Sequence, residues 1–339
     1  MPDNNFMFCP ENVAEARTFT EKAISFVNHL SFNLRDKDVV AVYSDFAVIT
    51  RHETGKMGLY RADNGIPILA DVFDTIEIKY SNRQLSKYSK NPEESDIRFF
   101  EVCYDGMYGA YDENGLQTVP VKYKSGIMFG GKCYIVTDAK SNLMGVYDKK
   151  GNLVVPVEYT YVTVKYGIIT GVKRVGITNK TFAFNIRGKS VFCKEFEFNE
   201  AKGYDRIEVL EDYIIARENG LECLYTHEGE KVIPARCRRI EVHENYIIVE
   251  NEFGKYGLFS PSGNNLVSCE YDRLVCFDEN YVKGRYGNTE CLFYKDGYVV
   301  LEKGIYCRII KTSYGAKATT LKNNSTCNLE LCKYIVKNL

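Results

Sequence analysis

The chain has 339 residues and a net charge of -1, from 44 Lys+Arg against 45 Asp+Glu, with both signs scattered. That balance excludes the broad basic footprint by which proteins hold nucleic acid or an anionic membrane. Aromatics make up 13%, as 26 Tyr and 19 Phe with no Trp, a composition that favours strands over helices.

Taken in chain order, residues 1–10 lack the basic and then apolar regions of a signal peptide, so a cytoplasmic location is expected. No apolar run reaches the roughly 18 residues that a membrane helix needs. Residues 11–30 carry Val13, Ala16, Ala23, Ile24, Val27 and Leu30 at helical spacing, with Pro10 suited to a first turn. This predicts a helical cap over residues 1–38.

From Val39 the pattern changes to strand, turn, strand, and one phrase recurs seven times. The copies are Gly58-Leu59-Tyr60, Gly109-Ala110-Tyr111, Gly145-Val146-Tyr147, Phe182-Ala183-Phe184, Cys223-Leu224-Tyr225, Gly257-Leu258-Phe259 and Cys291-Leu292-Phe293. A turn glycine follows each anchor: Gly65, Gly115, Gly151, Gly188, Gly229, Gly263 and Gly297. Self-similarity of this kind marks a stack or ring of one supersecondary unit. Each unit reads as three strands. The anchor strand ends in a polar turn, and a second strand follows, as in Val119-Pro120-Val121 or Val155-Pro156-Val157. It closes on an aromatic corner (Tyr123, Tyr159, Tyr271), and an apolar third strand such as Tyr246-Ile247-Ile248 leads to the next copy.

Anchors are 51, 36, 37, 41, 34 and 34 residues apart, and a fourth strand fits the shorter steps only with difficulty. The expected fold is therefore all-β, a tandem array of three-stranded antiparallel units over residues 39–302. An open curved array is favoured, with a seven-bladed propeller-like ring as the alternative. Residues 303–339 form a closing segment. The long first step contains residues 81–96, a polar run that reads as a solvated loop or a short helix.

Cys193, Cys223, Cys237, Cys269 and Cys291 fall in slots that other copies fill with Gly, Pro, Phe or Tyr. They read as small apolar core residues in a reducing compartment, with neither disulfides nor zinc. No cysteine pair has the spacing of a zinc motif.

The unit resembles the WG-repeat family, a Trp-Gly pair followed by an aliphatic residue, an acidic turn and an Ile-Pro step. The matching stretches are Met107-Tyr108-Gly109-Ala110-Tyr111-Asp112, Leu143-Met144-Gly145-Val146-Tyr147-Asp148, Lys56-Met57-Gly58-Leu59-Tyr60 and Lys255-Tyr256-Gly257-Leu258-Phe259. Val119-Pro120, Val155-Pro156 and Ile233-Pro234 fit the second half. The tryptophan is replaced throughout, by Met57, Tyr108, Met144, Thr181, Glu222, Tyr256 and Glu290. The resemblance implies a β-repeat scaffold, common in bacterial proteins, and assigns no catalytic residue.

The residues themselves supply no catalytic set. His29, His52, His227 and His243 stand in no hydrolase or metalloprotease motif. The glycines at 126, 130 and 131 lack a phosphate loop's Lys-Ser/Thr ending, and the acidic turns change charge too freely for Ca²⁺. Arg236, Arg238 and Arg239 read as a solvated strand face. The function expected is a non-enzymatic scaffold for a protein partner, without cofactor, metal, nucleic acid or membrane. Alternatives are a glycan-binding module using exposed tyrosines and, less favoured, an enzyme with an unrecognised pocket. Candidate partner-binding residues are Tyr111, Tyr147 and Tyr225 on a tyrosine stripe, and Arg83, Lys87, Tyr88 and Lys90 in the 81–96 insertion.

Overall fold

The computed structural model describes residues 37–42, 46–80, 97–124, 126–192, 203–233, 235–313 and 315–329. The cap helix expected at 11–30 and the insertion at 81–96 lie outside the described residues. Every regular element within them is a strand, and the strands form seven antiparallel sheets.

The first sheet joins β1 (Lys37–Val42), β2 (Phe46–Arg51), β3 (Met57–Arg61) and β4 (Pro67–Phe73). The second joins β5 (Thr75–Tyr80), β6 (Ile97–Tyr104), β7 (Met107–Tyr111) and β8 (Gln117–Tyr123). The third holds β9 (Met128–Phe129), β10 (Cys133–Thr137), β11 (Met144–Asp148) and β12 (Leu153–Tyr159). The fourth holds β13 (Tyr161–Lys165), β14 (Ile168–Val175) and β15 (Thr178–Asn185), and the fifth β16 (Arg206–Val209), β17 (Tyr213–Glu218) and β18 (Leu221–Thr226). The sixth is β19 (Arg239–Val242), β20 (Ile247–Glu250), β21 (Tyr256–Phe259) and β22 (Asn265–Tyr271). The seventh runs β23 (Arg273–Cys276), β24 (Tyr281–Tyr286), β25 (Thr289–Tyr294), β26 (Val299–Thr312), β27 (Gly315–Thr320) and β28 (Thr326–Leu329).

The unit is thus a four-stranded meander in most copies, not the three-stranded one expected. The extra strand is the short one after the aromatic corner: β5, β13, β16, β19 or β23. A single residue, such as Asp74, Thr160 or Asp272, separates it from the preceding strand, so the sequence offers no Gly or Pro to mark a break. That residue's N–H donates to a carbonyl of the third strand in six successive corners, for example Asp205 to Arg217 and Asp272 to Arg285. In the fourth and fifth sheets the fourth strand shrinks to isolated bridges, Thr181 with Tyr204 and Glu222 with Cys237. After residue 302 the chain stays in the last sheet, because β26 pairs first with β25 and then with β27.

All seven anchors lie in strands, and all seven turn glycines have positive φ, between 68° and 90°. The anchor glycine has a steric cause. A Cβ on Gly145 would stand 2.6 Å from Val157 Cγ2 and 2.9 Å from the Val155 carbonyl oxygen, where the second strand bulges across the first. The cross-strand partner follows the anchor's size. Gly58, Gly109, Gly145 and Gly257 face Ile49, Val102, Val136 and Val249, whereas Cys223 and Cys291 face Ala216 and Gly284. Volume is conserved across the pair, as close packing requires.

The chain divides into two compact units, Met1–Arg174 with Phe184–Lys189, and Val175–Ala183 with Ser190–Leu339. In the first, Val48, Leu59, Leu69 and Phe100 fill the core between two successive sheets, and Phe99, Val119, Tyr123 and Tyr134 fill the next. In the second, Leu224, Ile240, Ile247 and Phe259 play the same part, followed by Tyr246, Leu258, Tyr271 and Phe293. No helix among the described residues is long and apolar enough to cross a membrane.

Candidate interaction surfaces

The slot of the missing tryptophan decides how successive repeats hold one another. Where it carries an acid, the carboxylate reaches the next strand edge. Glu222 Oε2 accepts the Ile240 N–H at 2.8 Å, and Glu290 Oε2 accepts the Ile309 N–H at 2.5 Å. Each acid also binds a cation on the neighbouring strand: Arg217 Nε to Glu222 at 3.1 Å and Lys283 Nζ to Glu290 at 3.2 Å. A buried carboxylate such as Glu222 needs such partners, and they come from the fifth and sixth sheets, whereas both partners of the half-buried Glu290 lie in the seventh sheet itself. Tyr256, in the same slot, donates its hydroxyl to Glu250 at 2.9 Å.

A second polar link recurs at the corners. Lys180 and Lys255, two residues before their anchors, bind Asp205 and Asp272 at 2.5 Å, and Lys56 binds Asp74 likewise. The same carboxylates cap the following hairpins by accepting the N–H of Asn219, Gly287 and Asp105. The lysine hydrogen bond, then the backbone one, lowers all three aspartate pKa values below the usual range.

One open groove of about 560 Å³ lies between the fifth and sixth sheets, within the second unit. Leu210, Ile215, Ile240 and Val242 give it an apolar floor. Its charged residues are mostly engaged internally. Arg217 holds Glu222, and Arg239 holds Glu241 at 2.9 Å. Glu208 makes only an exposed pair with Arg206 at 3.2 Å, and Arg238 has no side-chain partner among the described residues. Two residues of the arginine cluster read as a solvated strand face, Arg238 and Arg239, line this groove. Sequence reasoning missed the groove because its walls belong to different repeats. A signal was present all the same: Arg206-Ile207-Glu208-Val209 recurs as Arg239-Ile240-Glu241-Val242, and both stretches are first strands of their sheets.

The first unit carries a different surface. In two successive repeats the residue directly after the turn glycine exposes an aliphatic side chain, Ile66 (58% exposed) and Leu116 (62%), and in the next repeat Leu153, two residues after Gly151, is 48% exposed. Asn64 and Asp112 side chains accept the Ile66 and Leu116 N–H groups, so the turns hold these side chains outward. Tyr111 lies half-buried close by, its ring edge-on to Phe73 at 5.8 Å and its hydroxyl accepting from Gln117 at 3.1 Å.

The rest of the tyrosine stripe is not a surface. Tyr147 is 5% exposed and bonds the Tyr123 hydroxyl at 2.9 Å, and Tyr225 is 1% exposed against Phe192. Their rings face the core because the strand alternation that repeats them also repeats their inward direction. This corrects their assignment as partner-binding residues and removes them as a sugar platform. Tyr134, Tyr246 and Tyr281, in the other tyrosine slot, are buried too. Arg83, Lys87, Tyr88 and Lys90 lie outside the described residues. Of the histidines, His227 Nε2 bonds the Leu210 carbonyl and His243 stacks on Tyr246. Cys103, Cys133, Cys223, Cys237 and Cys291 are buried; burial pushes the Cys133 thiol up to about 11 and those of Cys237 and Cys291 up to about 12.

Comparison with known families decides what the repeat is. The WG containing repeat matches residues 144–169 and 256–283. Two of the seven copies match the WG repeat. Each matched WG repeat begins at the tryptophan slot, here Met144 and Tyr256, and runs through the bulged pair into the next sheet. No curated protein matches the sequence. Among solved structures, the computationally designed Ika8 protein aligns with 84% of this chain and 93% of its own, at 12% identity and a TM-score of 0.26. Hsv2p of Kluyveromyces lactis aligns over 76% and 94%, at 8% identity and 0.26. BamB from Moraxella catarrhalis aligns over 85% and 92%, at 13% identity and 0.24.

Proposed function

We propose that the chain is a non-enzymatic repeat scaffold that presents a repeated surface to a protein partner. The observation that carries this reading is the row Ile66, Leu116 and Leu153. Single exposed aliphatics are ordinary, but an exposed aliphatic within two residues of the turn glycine in three successive repeats is not needed by the fold. A patch of this kind, rimmed by the polar hairpin residues Asn64, Asp112 and Gln117, has the composition of a protein interface. Of the acids that a catalytic reading would claim, Glu222 links two sheets and Glu290 links strands of the last sheet.

The reading takes the chain to be cytoplasmic, with buried Cys103, Cys133, Cys237 and Cys291 as small apolar core residues in a reducing compartment. It keeps the open array as the arrangement of the repeats. Seven mostly four-stranded sheets are also the composition of a propeller, so ring closure is the alternative. Small-angle scattering of the full chain separates them: a ring gives a compact distance distribution, an array an elongated one.

The functional test is a triple variant, Ile66→Ser, Leu116→Ser and Leu153→Ser, used beside the parent chain in affinity capture from the native host. The expected result is loss of the captured partner with a melting temperature within a few degrees of the parent. Capture of the same partner by both chains would end this assignment of the surface.

A further inference from the structure

We propose that the groove between the fifth and sixth sheets is a peptide-binding site for an extended segment in which one aliphatic residue is flanked by a basic and an acidic residue. This rests on the scaffold reading but concerns a separate surface, on the second unit. The groove's volume, about 560 Å³, suits three or four residues of extended chain.

The floor sets the central residue. Ile215 and Val242 are only partly buried although both are branched aliphatics facing the groove, so an aliphatic side chain laid between them removes further apolar surface from water. The walls set the flanks. Arg217–Glu222 and Arg239–Glu241 neutralise each other inside the groove. On the sixth-sheet wall Glu250 is held by the Tyr256 hydroxyl at 2.9 Å, and Arg238 has no side-chain partner among the described residues. Glu208 stands on the fifth-sheet wall. Its pair with Arg206 is solvent-exposed on both sides and is readily exchanged for a ligand's cation. A carboxylate towards Arg238 and an ammonium or guanidinium towards Glu208 complement the two walls. A segment with the same charge at both flanks meets repulsion on one side. Because the walls are distinct, the site also fixes direction: one order of charges fits and the reverse does not.

The test uses the full chain and four fluorescent peptides, each with Gly-Ser flanks around Lys-Ile-Glu, Glu-Ile-Lys, Lys-Ile-Lys or Glu-Ile-Glu. One mixed-charge peptide is expected to bind at least about tenfold tighter than the other three. In the double variant Glu208→Arg with Arg238→Glu the preferred order reverses, and Ile215→Ser weakens both orders. Circular dichroism melts confirm that each variant folds. Equal binding of all four peptides, or an order preference unchanged by the double variant, overturns the proposal. The first-unit triple variant keeps the peptide preference. Failure at this groove is therefore distinguishable from failure of the scaffold reading, which is tested on the other surface.

Discussion

At the scale of single residues, the repeat is defined by where a side chain has no room. Gly263 combines a φ of 85° with a position from which a Cβ would lie 2.0 Å from the Val232 carbonyl oxygen, in the segment between β18 and β19 of the preceding repeat. Gly220 has a similar φ of 79° but open space around it. Left-handed backbone alone costs an alanine about 1–2 kcal/mol. Overpacking against fixed backbone adds about 1–3 kcal/mol more. Urea denaturation is therefore expected to show Gly263→Ala losing clearly more stability than Gly220→Ala. Equal losses would mean that the neighbouring repeat yields freely, and that the glycine is kept for its φ alone.

At the scale of elements, successive sheets are joined by polar links as much as by the core, and those links titrate. Asp74, Asp205 and Asp272 have lowered pKa values, chiefly through the lysine hydrogen bond. A carboxyl lowered on folding stabilises the native state fully above its unfolded value, here 3.8. That stabilisation is lost as pH falls from there through the folded value. Replacing all three with Asn is expected to lower the urea midpoint at pH 7 and to bring parent and variant together below that window. A gap that stays constant into strong acid would show that the carboxylate charges do not hold the corners. These links were half legible. Lys180 and Lys255 each sit two residues before their anchors, but nothing in a linear pattern says that Asp205 or Asp272 reaches such a lysine and a hairpin N–H at once. Anchors and turn glycines were legible because each answers to a local steric demand. The strand after the corner was not, since one residue replaces the turn. Tyr147 and Tyr225 misled for a related reason: periodicity marks a common face without saying whether it meets water or core.

At the scale of the whole molecule, the question is whether repeats unfold together. Buried thiols are spread along the chain, with Cys133 in the first unit and Cys237 and Cys291 in the second. Burial and their raised pKa values, about 11 for the first and about 12 for the others, keep them unreactive near neutral pH until their surroundings open. Each thiol therefore reports the opening of its own repeat. In an open array, stability is a sum of repeat and neighbour terms, and distant repeats open at different denaturant concentrations. Pulsed alkylation with peptide-resolved mass spectrometry across a urea series is expected to show Cys133 losing protection at a different midpoint from Cys291. Fully unfolded, unreduced protein is expected to label at all twelve cysteines. Coincident midpoints for all three buried thiols would point to one cooperative unit and sink the open array. A deficit of two or more labelled thiols would show a disulfide and place the chain outside a reducing compartment.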